Sequence, residues 1–288
     1  MAQKNTAQLP LPPALKLLRA LFPVIQLVLP PLAKKIGVSF FLKPFKFPLP
    51  EREKAVASKA KSKTLKVDQY EIATYEWGSG EEYLLMVHGW SGRAMQFHAL
   101  IEHFVALGYK VISFDAPGHG KSTGGETNLV EFAACINAIV EKNGDPKALI
   151  GHSLGGIACM IYQNHYEKAI PQVTINSPAI PDEIFENYAY RINSQKEKVA
   201  KWIRDYTLKR FEREFDSVSG QELSKGFGQV PFLIVNDEDD REVSLENAQV
   251  LHEHLLGSEM FITKTFGHVR ILRAPELIDR LDQFVQKL

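Results

Sequence analysis

Cysteine is nearly absent: Cys135 and Cys159 are the two in 288 residues. Two thiols cannot make the disulfide framework of a small secreted domain, and both fall in stretches patterned as amphipathic helix, so they read as reduced, buried side chains. A clean hydrophobic span is missing too. The longest apolar stretch, Leu17 to Leu32, is broken by Arg19, Pro23, Gln26, Pro30 and Pro31, and falls short of the ~20 uninterrupted residues a membrane-crossing helix needs. A secretory signal fits no better, because one lysine precedes Pro10, prolines interrupt the apolar region, and no small-x-small site follows before Lys34 and Lys35. The expected location is cytoplasmic. Net charge is also lacking, with 34 basic against 34 acidic residues, which removes any whole-chain electrostatic case for nucleic-acid binding. At 45% hydrophobic and 24% charged, the chain is neither disordered nor collagen-like and is long enough for one large core.

The zero charge is a cancellation. Residues 1–66 hold 13 Lys or Arg against Glu51 and Glu53 alone, giving +11, and residues 67–288 carry −11. Within residues 13–29, Lys16, Arg19 and Gln26 fall within about 80° on a helical wheel, a narrow polar stripe on a mostly apolar cylinder that Pro23 would kink. Further on, Lys34, Lys35, Lys43 and Lys46 interleave with Phe40, Phe41, Leu42, Phe45 and Phe47. Two expectations follow for residues 1–50. The arm packs on the acidic remainder of the chain or mediates homodimerisation, or it makes a peripheral contact with an anionic membrane surface. The lysine run at 54–66 lacks interleaved aromatics and reads as a mobile linker, not as a nucleic-acid contact.

From residue 64 onward, strand-like and helix-like segments alternate, which predicts α/β architecture with a largely parallel sheet. Thr64–Val67 and Gln69–Glu76 read as an antiparallel opening pair. Tyr83–Val87, Lys110–Phe114, Ala148–Ile150, Gln172–Ile175, Phe232–Val235 and Met260–Lys264 are short, apolar runs that suit strands covered on both faces. Helical patterns fall between them at 94–107, 129–142, 154–165, 244–256 and 275–287. About 55 residues separate the strand ending at Ile175 from the one starting at Phe232, when a crossover needs little more than a dozen. That excess predicts a helical cap over the carboxyl edge of the sheet, at 179–229, with a core at 64–178 and 230–288 and an extension at 1–63.

The strongest chemical signal is Gly151-His152-Ser153-Leu154-Gly155, directly after a strand and opening a helix. A G-x-S-x-G in that context lifts a serine hydroxyl above the sheet on a tight turn, so Ser153 is the expected nucleophile. A serine needs a base to take its proton and a third group to hold that base. His268, in a glycine-containing loop after the last strand, is placed to return over the sheet edge. His98, His103, His165, His252 and His254 lie on helical stretches with no turn to project them. The acid run Asp237-Glu238-Asp239-Asp240 follows a core strand and lies between Ser153 and His268; Asp240 is chosen from it, with Asp239 and Asp237 as fallbacks. The oxyanion donors expected are the backbone N–H of Leu154, at a helix N-terminus, and that of Trp90 in His88-Gly89-Trp90-Ser91-Gly92. Trp90, His152, Trp202 and Tyr206 are the expected substrate contacts. No cofactor and no metal are expected. The stretch Gly118-His119-Gly120-Lys121-Ser122 is not a phosphate-binding loop, since the glycine required five residues before Gly120 is Asp115.

Taken in order, His88-Gly89-Trp90, Asp115 to Ser122, the Ser153 elbow, Asp237 to Val243 and Gly267-His268 resemble the α/β-hydrolase superfamily over about residues 64–288. Asp240 and Val243 match the family's G-x-x-D-x-x-V register, with Asp237 at the glycine position. The resemblance implies an eight-stranded, mostly parallel sheet with an inserted cap. A serine at the nucleophile position points away from the haloalkane dehalogenase and epoxide hydrolase branches. Fold and triad alone do not choose the bond that is cut. Hydrolysis of a carboxylic ester, lipid or thioester is the expected activity, with carbon–carbon hydrolysis, amide or peptide cleavage, and a non-catalytic ligand receptor as alternatives.

Overall fold

The computed structural model describes residues 13–288, with side chains from residue 16 onward. Eight strands form a single sheet: β1 (Lys61–Val67), β2 (Tyr70–Trp77), β3 (Tyr83–Val87), β4 (Lys110–Phe114), β5 (Ala148–His152), β6 (Gln172–Ile175), β7 (Phe232–Asp237) and β8 (Glu259–Thr263). Their order in space is β1-β2-β4-β3-β5-β6-β7-β8, with β2 antiparallel to both β1 and β4 and the remaining pairs parallel. Helices α1 (Pro13–Val28), α2 (Pro30–Leu42) and α3 (Glu51–Lys59) precede the sheet. Its crossovers are α4 (His98–Ala106), α5 (Leu129–Asn143) and α6 (Leu154–His165). An insertion between β6 and β7 holds α7 (Pro181–Ile192), α8 (Lys196–Phe211) and α9 (Gly220–Lys225), and α10 (Leu245–His254), α11 (Gly267–Arg270) and α12 (Pro275–Gln286) complete the chain.

Successive side chains of a strand point to opposite faces, and β3 shows how this makes two cores. Leu84 and Met86 pack with residues of α4 and α12 on one side; Leu85 and Val87 pack with α5, α6 and α10 on the other. Both thiols are buried in this second core, on α5 and α6, where burial pushes them up and keeps them protonated.

A third core lies apart from the sheet. Phe22, Ala33, Val38 and Leu42 of α1 and α2 pack against Phe185, Ala189, Ile192, Val199, Ala200 and Ile203 of α7 and α8. The basic N-terminal arm is thereby fastened to the insertion. Among the described residues, no helix is long and apolar enough to cross a membrane.

The expected linker at 54–66 is corrected: these residues form most of α3 and almost all of β1. The physical reason is burial of single side chains rather than a periodic stripe. Val56 is fully enclosed by the sheet-side core, and the Trp77 indole N–H donates to the Val56 carbonyl at 2.9 Å. The core boundary expected at residue 64 therefore lies inside β1.

Candidate active site

Ser153 follows β5 and begins the turn into α6 with φ 54° and ψ −130°, a conformation that costs a non-glycine residue about 1–3 kcal/mol. Its neighbours make the turn feasible: a Cβ at Gly155 would collide with the Val87 carbonyl oxygen, and one at Gly151 with the backbone of Gly156. The Ser153 hydroxyl donates to Nε2 of His268 at 3.0 Å. Nδ1–H of His268 in turn donates to Oδ2 of Asp240 at 2.7 Å, whose other oxygen accepts the N–H groups of Glu242 and Val243 at 2.7 and 3.1 Å. Burial disfavours the charged imidazole, but the Asp240 hydrogen bond and the charges of Glu242 and Asp240 outweigh it and raise the pKa of His268 above its usual 6.5. Ser153 is only 8% exposed, so access to the relay is narrow.

Peptide geometry sets the second half of the site. The Gly89 carbonyl accepts from Nδ1 of His88 at 2.7 Å and from the Gly92 N–H at 3.0 Å. A trans peptide directs its N–H opposite to its C=O, so the Trp90 N–H points away from those two partners. A Cβ at Gly89 would lie 2.7 Å from the Ser153 Cβ, which shows how closely this loop abuts the serine. The Leu154 N–H opens α6 and has no acceptor within the helix. The Trp90 ring stands edge-on to His119, with centroids 5.5 Å apart.

The loop is held from several sides. Nε2 of His119 accepts the Ser91 N–H at 2.9 Å, and Nε2 of His88 accepts the Ala116 N–H at 3.0 Å. Burial lowers His88 to about 4 and His119 to about 3, so both are neutral scaffolding groups. Asp115 accepts the Ala94 and Lys121 N–H groups and the Tyr75 hydroxyl. The N-terminal segment contributes as well: the Phe45 N–H donates to Ser91 Oγ at 2.9 Å, and Arg93 donates to the Phe47 carbonyl at 3.0 Å while pairing with buried Glu53 at 3.5 Å.

Three expected substrate contacts lie elsewhere. His152 is buried and both its ring nitrogens are engaged, Nδ1 with Gln96 at 3.0 Å and Nε2–H with the His268 carbonyl at 2.8 Å. Burial lowers it to about 3, so it is a neutral support behind the relay and not part of a substrate wall. Trp202 packs in the third core, 6.4 Å from the Phe22 ring and against Gly37, because α1 and α2 cover that face of the insertion. Tyr206 lies against the same core, with its ring 6.3 Å from Phe211.

Sequence reasoning missed two supports. Asn176, just after β6, donates to the carbonyls of Gly267 and His268 at 3.3 and 3.1 Å, and its Oδ1 accepts the Asp237 N–H. Asp237, fully buried, accepts from Asp239 N–H, Gly267 N–H, Phe266 N–H and the Thr263 hydroxyl. It stitches the acid loop to the histidine loop. The one signal was its occupancy of a position where the family pattern has glycine.

A family profile described as the alpha/beta hydrolase fold matches residues 82–212. The chain has the α/β-hydrolase fold. It is 39% identical over 100 residues to (E)-2-((N-methylformamido)methylene)succinate hydrolase of Acinetobacter baylyi, covering 33% of this chain and 37% of that one. It is 22% identical over 261 residues to human Protein ABHD8, covering 76% and 58%. The chain thus spans less than two thirds of these relatives. Among solved structures, the Pyrococcus furiosus esterase Pf2001 superposes with a TM-score of 0.66 at 18% identity, covering 85% of this chain and 98% of that one.

Proposed function

We propose that this α/β-hydrolase cleaves carboxylic esters, including lipid esters or thioesters, through an acyl-enzyme on Ser153. The observation that carries the reading is the relay itself: a serine hydroxyl at 3.0 Å from an imidazole whose far nitrogen lies 2.7 Å from a buried carboxylate. His268 takes the Ser153 proton as the oxygen attacks the ester carbon, and Asp240 stays ionised and holds the imidazole in the tautomer that leaves Nε2 free. The N–H groups of Trp90 and Leu154 receive the negative oxygen of the tetrahedral intermediate, the latter aided by the α6 dipole. His268 then protonates the leaving alcohol or thiol. Water, deprotonated by His268, releases the acid and regenerates Ser153. No step calls for a metal or cofactor.

An ester is favoured because an alkoxide departs more readily than an unprotonated amide nitrogen or a carbanion from the same intermediate. The test compares wild type with Ser153→Ala on p-nitrophenyl esters of several chain lengths, thioesters and vinylogous diketones. Ester turnover by wild type and none by the variant is expected. Turnover of diketones alone assigns carbon–carbon hydrolysis instead, and full ester turnover by Ser153→Ala refutes the mechanism.

A further inference from the structure

Helix α1 is turned the unusual way round. Its internal polar residues face the protein: Arg19 donates to the Tyr190 carbonyl at 2.6 Å with its guanidinium 4.4 Å from that residue's ring centre, and Gln26 accepts from the Ser194 hydroxyl at 2.8 Å. The opposite face, presented to solvent, is apolar. Leu17, Leu21, Val24 and Val28 follow one another at the 4-3-4 spacing of a single helical stripe, and Leu27, Leu29 and Leu32 extend it across the junction with α2. Exposure along this patch runs from 44% at Leu32 to 83% at Leu27. A helix whose only task was to cover the insertion would place these residues inward and its arginine outward. So continuous an apolar stripe marks a surface with a partner.

Charge identifies that partner. Residues 13–50 contain six Lys or Arg and no acid. Exposed Lys16 stands on α1 beside the stripe, and exposed Lys35 lies one turn from Leu32 on the same face of α2. Pairing two copies through this face would bring two uniformly positive segments together across a two-fold axis. An anionic bilayer accepts both features at once, the leucines among its acyl chains and the lysines among its headgroups.

We propose that the outward face of α1 and the α1–α2 junction dock the protein on an anionic lipid bilayer. The docked helix is held by α7, and α7 in turn grips the acid loop, through Asn187 and Arg191, at Glu242, two residues past Asp240, at 2.7 and 2.8 Å.

The test is co-sedimentation of the full chain with vesicles of phosphatidylcholine alone or mixed equally with phosphatidylglycerol, with far-UV circular dichroism to verify folding. Wild type binds the mixed vesicles, and added salt weakens that binding at least about tenfold. Leu21→Glu with Val24→Glu, and separately Lys16→Gln with Lys35→Gln, each weaken it by about tenfold or more while turnover of a short soluble ester is unchanged. The proposal is overturned by failure of wild type to bind mixed vesicles, or by equal binding of the Leu21/Val24 double variant. A wild-type dimer in analytical ultracentrifugation that this variant splits, with no vesicle binding by either protein, assigns the face to a second copy.

Discussion

At the scale of single residues, Asp240 tests how the relay divides its work. Asp240→Asn can keep its oxygen on the Glu242 and Val243 N–H groups, which leaves its NH2 against Nδ1 of His268 and forces the wrong tautomer. Its kcat is expected to fall by roughly 10³ to 10⁴. The pH profile carries the sign. The base must be neutral to act, and its pKa lies above 6.5 because the Asp240 bond and nearby acids overcome burial. In wild type, kcat/KM therefore rises through an acid limb above pH 6.5. In Asp240→Asn burial remains while the bond and charge are gone, so the residual activity shows that limb moved to lower pH; an unmoved limb assigns it to another group. Choosing Asp240 from four clustered acids was within reach of the sequence pattern. The work of Asp237 was not, because three of its four donors, the Thr263 hydroxyl and the Phe266 and Gly267 N–H groups, reach it only once β8 and the histidine loop lie beside it.

At the scale of elements, the connection that matters runs between the N-terminal segment and the loop from Gly89 to Arg93. Arg93 is shared by the Phe47 carbonyl and the Glu53 carboxylate, and Glu53 is so enclosed that burial raises its pKa despite two arginines. Arg93→Ala strands that carboxylate and frees the loop from residues 45–53. We expect a loss of about 1–3 kcal/mol in denaturant unfolding. With the Trp90 N–H displaced, kcat should fall about 10²-fold at little change in KM. A change confined to stability would mean that the loop holds its shape through its remaining supports, among them His88, His119 and Asp115. Hydrophobic patterning found the elements with an apolar stripe or run: α6 and β3 occur over the residues their patterns predict. It failed at α3, where a short polar helix contributes one enclosed valine and one buried glutamate and leaves no stripe to read.

At the scale of the whole molecule, three neutral histidines make stability depend on pH. His88, His119 and His152 sit at about 4, 3 and 3 in the folded state because of burial, against 6.5 when exposed. Below pH 6.5 the unfolded chain binds protons that the folded chain refuses, so unfolding becomes easier as pH falls, by up to about 1.4 kcal/mol per pH unit for each histidine until the folded values are reached. Urea midpoints should drop steeply between pH 6.5 and pH 4; a flat profile there would show that these imidazoles are not sealed. By itself, the sequence determined what adjacent residues decide together: the strand, turn and helix around Ser153, the order of serine, acid and histidine, and the split of charge at residue 66. Those features depend on local sterics and side-chain type. Tertiary structure decided which surfaces meet. Helix α1 is apolar nearly all round, so its pattern cannot say which side is covered. Only contact with α7, through residues 171 apart at Arg19 and Tyr190, turned its polar edge inward and left its leucines facing water.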